Sequence, residues 1–169
     1  AEDFRGAESF YRQVLEKQPK LAGANYALGH VLLRQGREGE ALKYLEQELE
    51  QDSFHYLALY EAGSILARRG ETPNAVELLR KSVELRPSFD ESKVELAKVY
   101  MRVKRGSEAV LLLKDVIRRE PGHATAHYLL FRAYSATGQD ALAKRELKMH
   151  RMLLEKRKAS GAARAAVSP

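Results

Sequence analysis

Cysteine and tryptophan are absent from this chain of 169 residues, and so is any long apolar run. Without cysteine, the chain can form no disulfide, bind no zinc through thiolates and use no cysteine nucleophile. A membrane-spanning helix needs about 18 consecutive apolar residues, so the sequence predicts no such helix. Apolar residues make up 44% of the chain and charged residues 31%, a balance typical of a well-solvated helical protein.

Motifs that mark catalytic sites are also missing. The chain contains no glycine-rich phosphate loop, no HExxH pair and no nucleophile motif. His123 and His127 are four apart, a spacing that can place two metal ligands on one helical face. His123 follows a Pro-Gly turn, however, and no third ligand is near, so we interpret both as exposed or helix-capping histidines. We therefore predict no catalytic residue, no metal site and no cofactor.

The net charge of +6 is concentrated at one end of the chain. Residues 144–169 contain eight Lys or Arg and two Glu, whereas residues 1–143 contain 21 basic and 21 acidic residues. All of the excess positive charge therefore belongs to the last predicted helix and the segment after it.

An internal repeat organises the sequence. Three residue types recur at one constant interval, namely alanine (Ala7, Ala41, Ala75, Ala109, Ala143), proline (Pro19, Pro87, Pro121) and glycine (Gly36, Gly70, Gly138). Ser53 stands at the missing proline position, and Lys104 stands at the missing glycine position. The interval is about 34 residues, and a period of this length indicates a stack of similar structural units.

Within each period the apolar spacing predicts two helices. Residues 26–33 have apolar side chains at i, i+3, i+4 and i+7, and residues 38–50 carry a second apolar stripe. Gly36 suits the left-handed residue that ends the first helix, whereas proline ends the second because it cannot continue a helix.

This pattern resembles the tetratricopeptide repeat family over nearly the whole chain. In units counted from residues 22, 56, 90 and 124, small residues occupy position 8 (Gly29, Gly63, Ala97) and position 20 (Ala41, Ala75, Ala109, Ala143). Large residues occupy position 11 (Leu32, Leu66, Tyr100, Tyr134) and position 24 (Leu45, Leu79, Leu113, Leu147). The resemblance implies an all-α fold, a right-handed α-solenoid of antiparallel helix pairs.

The same count predicts the domain organisation. Residues 1–158 form the solenoid, with residues 1–21 as the second half of a repeat and full repeats at 22–55, 56–89, 90–123 and 124–157. Residues 159–169 are expected to be a frayed or disordered tail. Because Ala1 opens the chain partway through a repeat, we expect further sequence upstream, and both a cytoplasmic and a periplasmic location stay open.

Some positions depart from the family pattern. The aromatic residue of position 4 is replaced by Asn25, Leu59, Lys93 and His127. Glu155 replaces the proline after the last repeat, so the final helix is predicted to continue to about Lys158.

The resemblance also implies a binding surface. In this family the first helix of each unit lines a concave groove, here through Tyr26, His30, Leu33, Tyr60, Ser64, Val94, Lys98, Met101, Tyr128 and Arg132. Tyrosines beside cations favour an extended or helical segment of a partner protein with apolar anchors and acidic residues. Alternatively, the tyrosines only pack between neighbouring first helices.

Two further surfaces are candidates on the last helix. Its apolar residues Leu147, Met149, Met152 and Leu153 predict self-association or docking within a larger complex. Its basic residues Lys144, Arg145, Lys148, Arg151 and Lys156 predict contact with a polyanion, either a nucleic acid or an anionic membrane. Nucleic acid is the less favoured partner because no aromatic residue interleaves with these cations. The alternative is a solvated face that keeps the end of the solenoid soluble.

Overall fold

The computed structural model describes residues 4–167, and its regular elements over that range are nine helices. They are α1 (Phe4–Lys17), α2 (Ala24–Arg34), α3 (Glu38–Gln51), α4 (Tyr56–Arg69), α5 (Thr72–Leu85), α6 (Asp90–Arg102), α7 (Gly106–Arg119), α8 (Ala124–Ala136) and α9 (Asp140–Val167). After α1, each repeat of the sequence contains one pair of helices. This is the all-α arrangement that the repeat predicts.

The chain divides into two compact units after Ser92. The first unit contains α1 to α5 and the first residues of α6, and the second contains the rest of α6 together with α7, α8 and α9.

A left-handed residue ends the first helix of each pair. The φ angles are 79° at Gly36, 82° at Gly70, 60° at Lys104 and 72° at Gly138. In each case the next amide donates a hydrogen bond to the carbonyl of a residue in the last turn of the helix, as from Arg105 to Tyr100 at 2.8 Å. The turn is therefore the same in all four pairs, although one of them lacks the glycine that adopts it most easily.

Small residues allow the two helices of a pair to approach closely. Ala41, Ala75 and Ala109 are completely buried. A Cβ atom added to Gly63 would lie 2.9 Å from Cγ of Leu79, which is closer than side-chain atoms pack. The space that a side chain at position 63 would need is thus already filled by α5.

In three of the four pairs, the side chain at position 27 of the unit bonds the second helix to the start of the first. Glu48 accepts hydrogen bonds from the amides of Gly23 (3.0 Å) and Tyr26 (3.1 Å). Ser82 Oγ donates to the carbonyl of Tyr56 at 2.8 Å, and His150 Nδ1 is 2.9 Å from the carbonyl of Ala124. Because late residues of the second helix meet early residues of the first, the helices are antiparallel.

An ionic cluster joins α1 to the first pair. Glu8 accepts hydrogen bonds from Arg37 Nη1 (2.7 Å), Gln35 Nε2 (3.0 Å) and Arg12 Nε (3.0 Å). Burial raises the pKa of the Glu8 carboxyl, but these donors outweigh it and lower the pKa to about 2. Glu8 therefore stays ionised and holds α1 against the turn between α2 and α3.

The last helix is longer than the sequence predicts. α9 runs to Val167, so residues 159–167, where a frayed tail is expected, have helical backbone. Residues 168–169 lie outside the described range.

Candidate functional site

Four of the predicted groove residues line one cleft in the first unit. Its volume is about 370 Å³, and α2 and α4 supply its walls. The lining residues are His30, Leu33, Arg34, Tyr60, Glu61, Ser64 and Arg68. A volume of a few hundred Å³ is enough for two or three side chains of a bound segment.

A buried carboxylate lies in the wall of this cleft. Oε1 of Glu61 is 2.6 Å from Nδ1 of His30, whose side chain is half exposed. Burial raises the pKa of Glu61, and the hydrogen bond from His30 opposes that effect. Oε2 of Glu61 and the buried hydroxyl of Ser64 have no hydrogen-bond partner within the described part of the chain. The wall therefore contains two polar oxygen atoms whose hydrogen-bonding capacity is not used within the described part of the chain.

The two predicted groove tyrosines of the first unit, Tyr26 and Tyr60, are both half buried, but they pack differently. The ring of Tyr26 lies 4.6 Å from the ring of His55, and burial together with the nearby Glu61 raises the pKa of its hydroxyl. The ring of Tyr60 meets Phe89 edge-on at 5.1 Å and also lines the cleft. Tyr26 fits the packing interpretation, whereas Tyr60 both packs and faces the cleft.

Two arginines of the cleft are not among the predicted groove residues. Arg34 and Arg68 occupy equivalent positions in successive repeats, and Arg102 continues the same register in the second unit. Nε of Arg68 donates to Glu38 at 2.8 Å, and the guanidinium of Arg34 lies 5.8 Å from the ring of Phe4. Their recurrence at position 13 of the repeat is the sequence signal that could have identified them.

In the second unit the predicted residues are less uniform. Val94 is buried, and Met101 is half buried. Lys98 and Arg132 are both exposed, and Nζ of Lys98 donates to Glu95 at 2.8 Å. The ring of Tyr128 is 40% exposed, which makes it the most accessible of the three predicted tyrosines.

The two histidines with metal-ligand spacing have structural partners. Nδ1 of His123 accepts the amide of Ala126 at 3.0 Å and so caps α8. His127 is neither exposed nor helix-capping, contrary to the interpretation from sequence: it is buried, with Nδ1 2.6 Å from Glu146 and Nε2 3.0 Å from the carbonyl of Pro121. Among the residues whose placement is described, no three metal-ligating side chains cluster together.

The last helix presents the two other predicted surfaces. All five residues of the predicted basic patch are exposed. Of the apolar set, Met152 is 51% exposed, whereas Leu147, Met149 and Leu153 are half buried. Across the described residues, none of the helices has the length and apolar character that a membrane span requires.

Solved structures that resemble the chain are repeat proteins. A crystal structure of MamA, whose sequence is 24% identical, aligns over 93% of this chain and 92% of the MamA chain, with a TM-score of 0.85. MamA from Desulfovibrio magneticus RS-1, residues 41 to the end, is 25% identical over 90% of this chain and 76% of that chain, with a TM-score of 0.69. YrrB, described as a TPR protein with an unusual peptide-binding site, is 22% identical over 96% of this chain and 84% of its own, with a TM-score of 0.80. These likenesses confirm the all-α solenoid.

Family models match most of the sequence. One model for the tetratricopeptide repeat matches residues 1–56 and 26–88, and another matches residues 104–166. No curated protein sequence matches the chain. The repeat period, the helix pairs and the model matches together show that the chain belongs to the tetratricopeptide repeat family.

Proposed function

We propose that the chain is a non-enzymatic interaction scaffold that binds a segment of a partner protein on the first helices of its repeats. The cleft between α2 and α4 is the observation that carries this proposal, because His30, Leu33, Tyr60 and Ser64 come together there. Membership of a repeat family and the likeness to YrrB, a TPR protein with a peptide-binding site, support the same function.

The chemistry of the cleft favours a segment with an apolar side chain next to an acidic one. Leu33 and Tyr60 offer apolar surface, and Tyr60 loses little rotamer entropy when it is covered. Arg34 and Arg68 bring two guanidinium groups to the same cleft, where a carboxylate can accept paired hydrogen bonds. Arg68 would have to share its bond to Glu38, whose side chain is 37% exposed to solvent.

A peptide selection tests the proposal without assuming the sequence of the partner. Peptides would be selected from a random library displayed on phage against the full chain, and their affinities measured by fluorescence anisotropy. We expect sequences that combine an apolar residue with Asp or Glu. The Leu33→Asp/Tyr60→Ala variant should bind them about tenfold more weakly or worse, since it removes the apolar anchor site and adds a negative charge.

The control carries the same changes on exposed side chains elsewhere. Leu111 is 69% exposed and Phe54 is 73% exposed, so Leu111→Asp/Phe54→Ala adds the same charge and removes a ring of similar size. Circular dichroism confirms that both variants are folded. Peptides that bind the cleft variant as tightly as the unchanged chain would show that this cleft is not the binding surface.

A further inference from the structure

The exposed face of α9 carries, in two adjacent rows, six of the eight cations of residues 144–169. Lys144, Lys148 and Arg151 are four and three apart, and Lys158 continues their row after Glu155. Arg145 and Lys156 form the second row with Met152 between them, and all of these side chains are exposed. The rows extend about 20 Å along the helix.

Many cations elsewhere in the described part of the chain have a carboxylate partner, whereas the six in these rows have none. Elsewhere, cations such as Arg37, Lys93 and Arg105 pair with carboxylates on the same helix or on a neighbouring one. Among the residues with described side chains, the six cations of the two rows make no salt bridge. Glu155 is the one carboxylate that stands in these rows, so the face keeps a strongly positive potential.

We propose that this face of α9 docks on a membrane surface that contains anionic phospholipids. Lys and Arg side chains are long enough for all six cations to reach the headgroups of one flat surface. Each cation near such a surface adds a similar increment of binding, and clusters of this size are sufficient for stable attachment. The proposal does not depend on the function proposed for the cleft.

The apolar residues on α9 favour lipid over nucleic acid. Met152 is 51% exposed among the cations, and Leu154 is 37% exposed beside them, so both can enter the region below the headgroups. Phe, Tyr and Trp, on which the bases of a single strand stack, do not occur in α9. An acidic protein segment would also neutralise the cations, but it would not require a flat, continuous row.

The opposite face of α9 is already occupied. Glu146 contacts His127 of α8, His150 contacts the carbonyl of Ala124, and Ala143 is buried. Docking through the cations therefore leaves the contact between α8 and α9 intact, and the helix lies along the surface without crossing it.

Vesicle flotation at several salt concentrations tests the inference. The full chain is mixed with vesicles of phosphatidylcholine alone or of phosphatidylcholine with a minority of phosphatidylglycerol, a composition that adds only negative charge. We expect binding to the anionic vesicles alone, weakening as salt rises. Lys144→Glu/Lys148→Glu/Arg151→Glu should lower the partition coefficient by about a hundredfold or more.

A matched variant distinguishes the effect of the charge on this face of α9 from the effect of the total charge of the protein. Lys17, Lys43 and Lys114 are exposed and lie on other helices, so Lys17→Glu/Lys43→Glu/Lys114→Glu changes the net charge by the same amount. We expect it to retain most of the binding, and Met152→Asp to reduce the binding that survives at high salt. Equal losses in the two triple variants would overturn the proposal. So would absence of vesicle binding, or displacement of the protein from vesicles by duplex DNA at an equal phosphate concentration.

Discussion

Lys104 and Gly70 have the same left-handed backbone conformation, with φ angles of 60° and 82°. A side chain with a Cβ atom disfavours this conformation by about 1 to 2 kcal/mol, whereas glycine adopts it freely. We therefore expect Lys104→Gly to stabilise the protein by about 1 kcal/mol, after the greater freedom of glycine in the unfolded chain is subtracted. Urea unfolding followed by circular dichroism measures the difference.

Gly70→Lys supplies the reverse experiment at the equivalent turn. It should destabilise the protein by a similar amount, about 1 kcal/mol. Lys104→Ala separates the backbone effect from the loss of the lysine charge, because alanine keeps the Cβ atom. Equal stability of the glycine and alanine variants would contradict the explanation.

The turn is predictable because its geometry repeats. The sequence period places Gly36, Gly70 and Gly138 at one register, and that register alone identifies Lys104 as the fourth left-handed residue. The positions of the helix pairs follow for the same reason. The long end of α9 is not predicted, because Ala, Ser and Gly after Lys158 differ widely in helix propensity and together give no clear preference.

A second prediction concerns a close helix approach in the first unit. Gly63→Ala would place a Cβ atom 2.9 Å from Cγ of the fully buried Leu79. Because the surrounding core is close-packed, we expect a loss of about 1 to 3 kcal/mol in the free energy of unfolding. Adding Leu79→Ala removes the clashing Cγ atom, so the double variant should lose less than the sum of the two single changes.

Gly122→Ala is the control for replacing a glycine with alanine where there is space for the added Cβ atom. A Cβ atom there meets nothing within 4 Å, so the change should leave stability within about 0.5 kcal/mol. If Gly63→Ala is as harmless as Gly122→Ala in urea unfolding, the two helices can separate at little cost, and the proposed requirement for a small residue is wrong.

The polar parts of the site are harder to predict than the apolar register. Tyr60 and Leu33 follow from the repeat pattern, but the pairing of His30 with Glu61 joins two helices and depends on side-chain geometry. The recurrence of Arg34 and Arg68 is visible in the sequence, yet a charged residue at a helix end is ordinarily solvated and gives no sign of a cleft.

A third prediction concerns the buried cation at a position where the family pattern has an aromatic residue. Lys93 is only 4% exposed, and its Nζ bonds to Asp115 of α7. Asp115→Ala removes the carboxylate that faces this buried ammonium group, which should cost about 2 to 3 kcal/mol given the partial exposure of the carboxylate. Lys93→Met/Asp115→Ala removes both charges and should recover much of that loss in thermal unfolding. A double variant less stable than Asp115→Ala alone would show that Lys93 contributes chiefly through other contacts.

The last prediction is a pH dependence centred on Glu8. Burial raises the pKa of its carboxyl in the folded protein, but hydrogen bonds from Arg37, Gln35 and Arg12 outweigh burial and lower the pKa to about 2. Between that value and the ordinary value of 4.5, the unfolded chain binds a proton that the folded chain does not. The contribution of Glu8 is therefore complete above about pH 5 and is lost as the pH falls towards 2.

Glu8→Gln should remove that contribution, about 1 kcal/mol after allowance for solvent screening. Measured by urea unfolding, the difference between the unchanged chain and the variant should be largest near pH 6 and shrink near pH 3. Glu16→Gln, which removes an exposed carboxylate from the same helix, is the control for the loss of one negative charge. A difference between the Glu8 variant and the unchanged chain that stays constant across this range would mean that α1 is held by packing and not by the ionised Glu8.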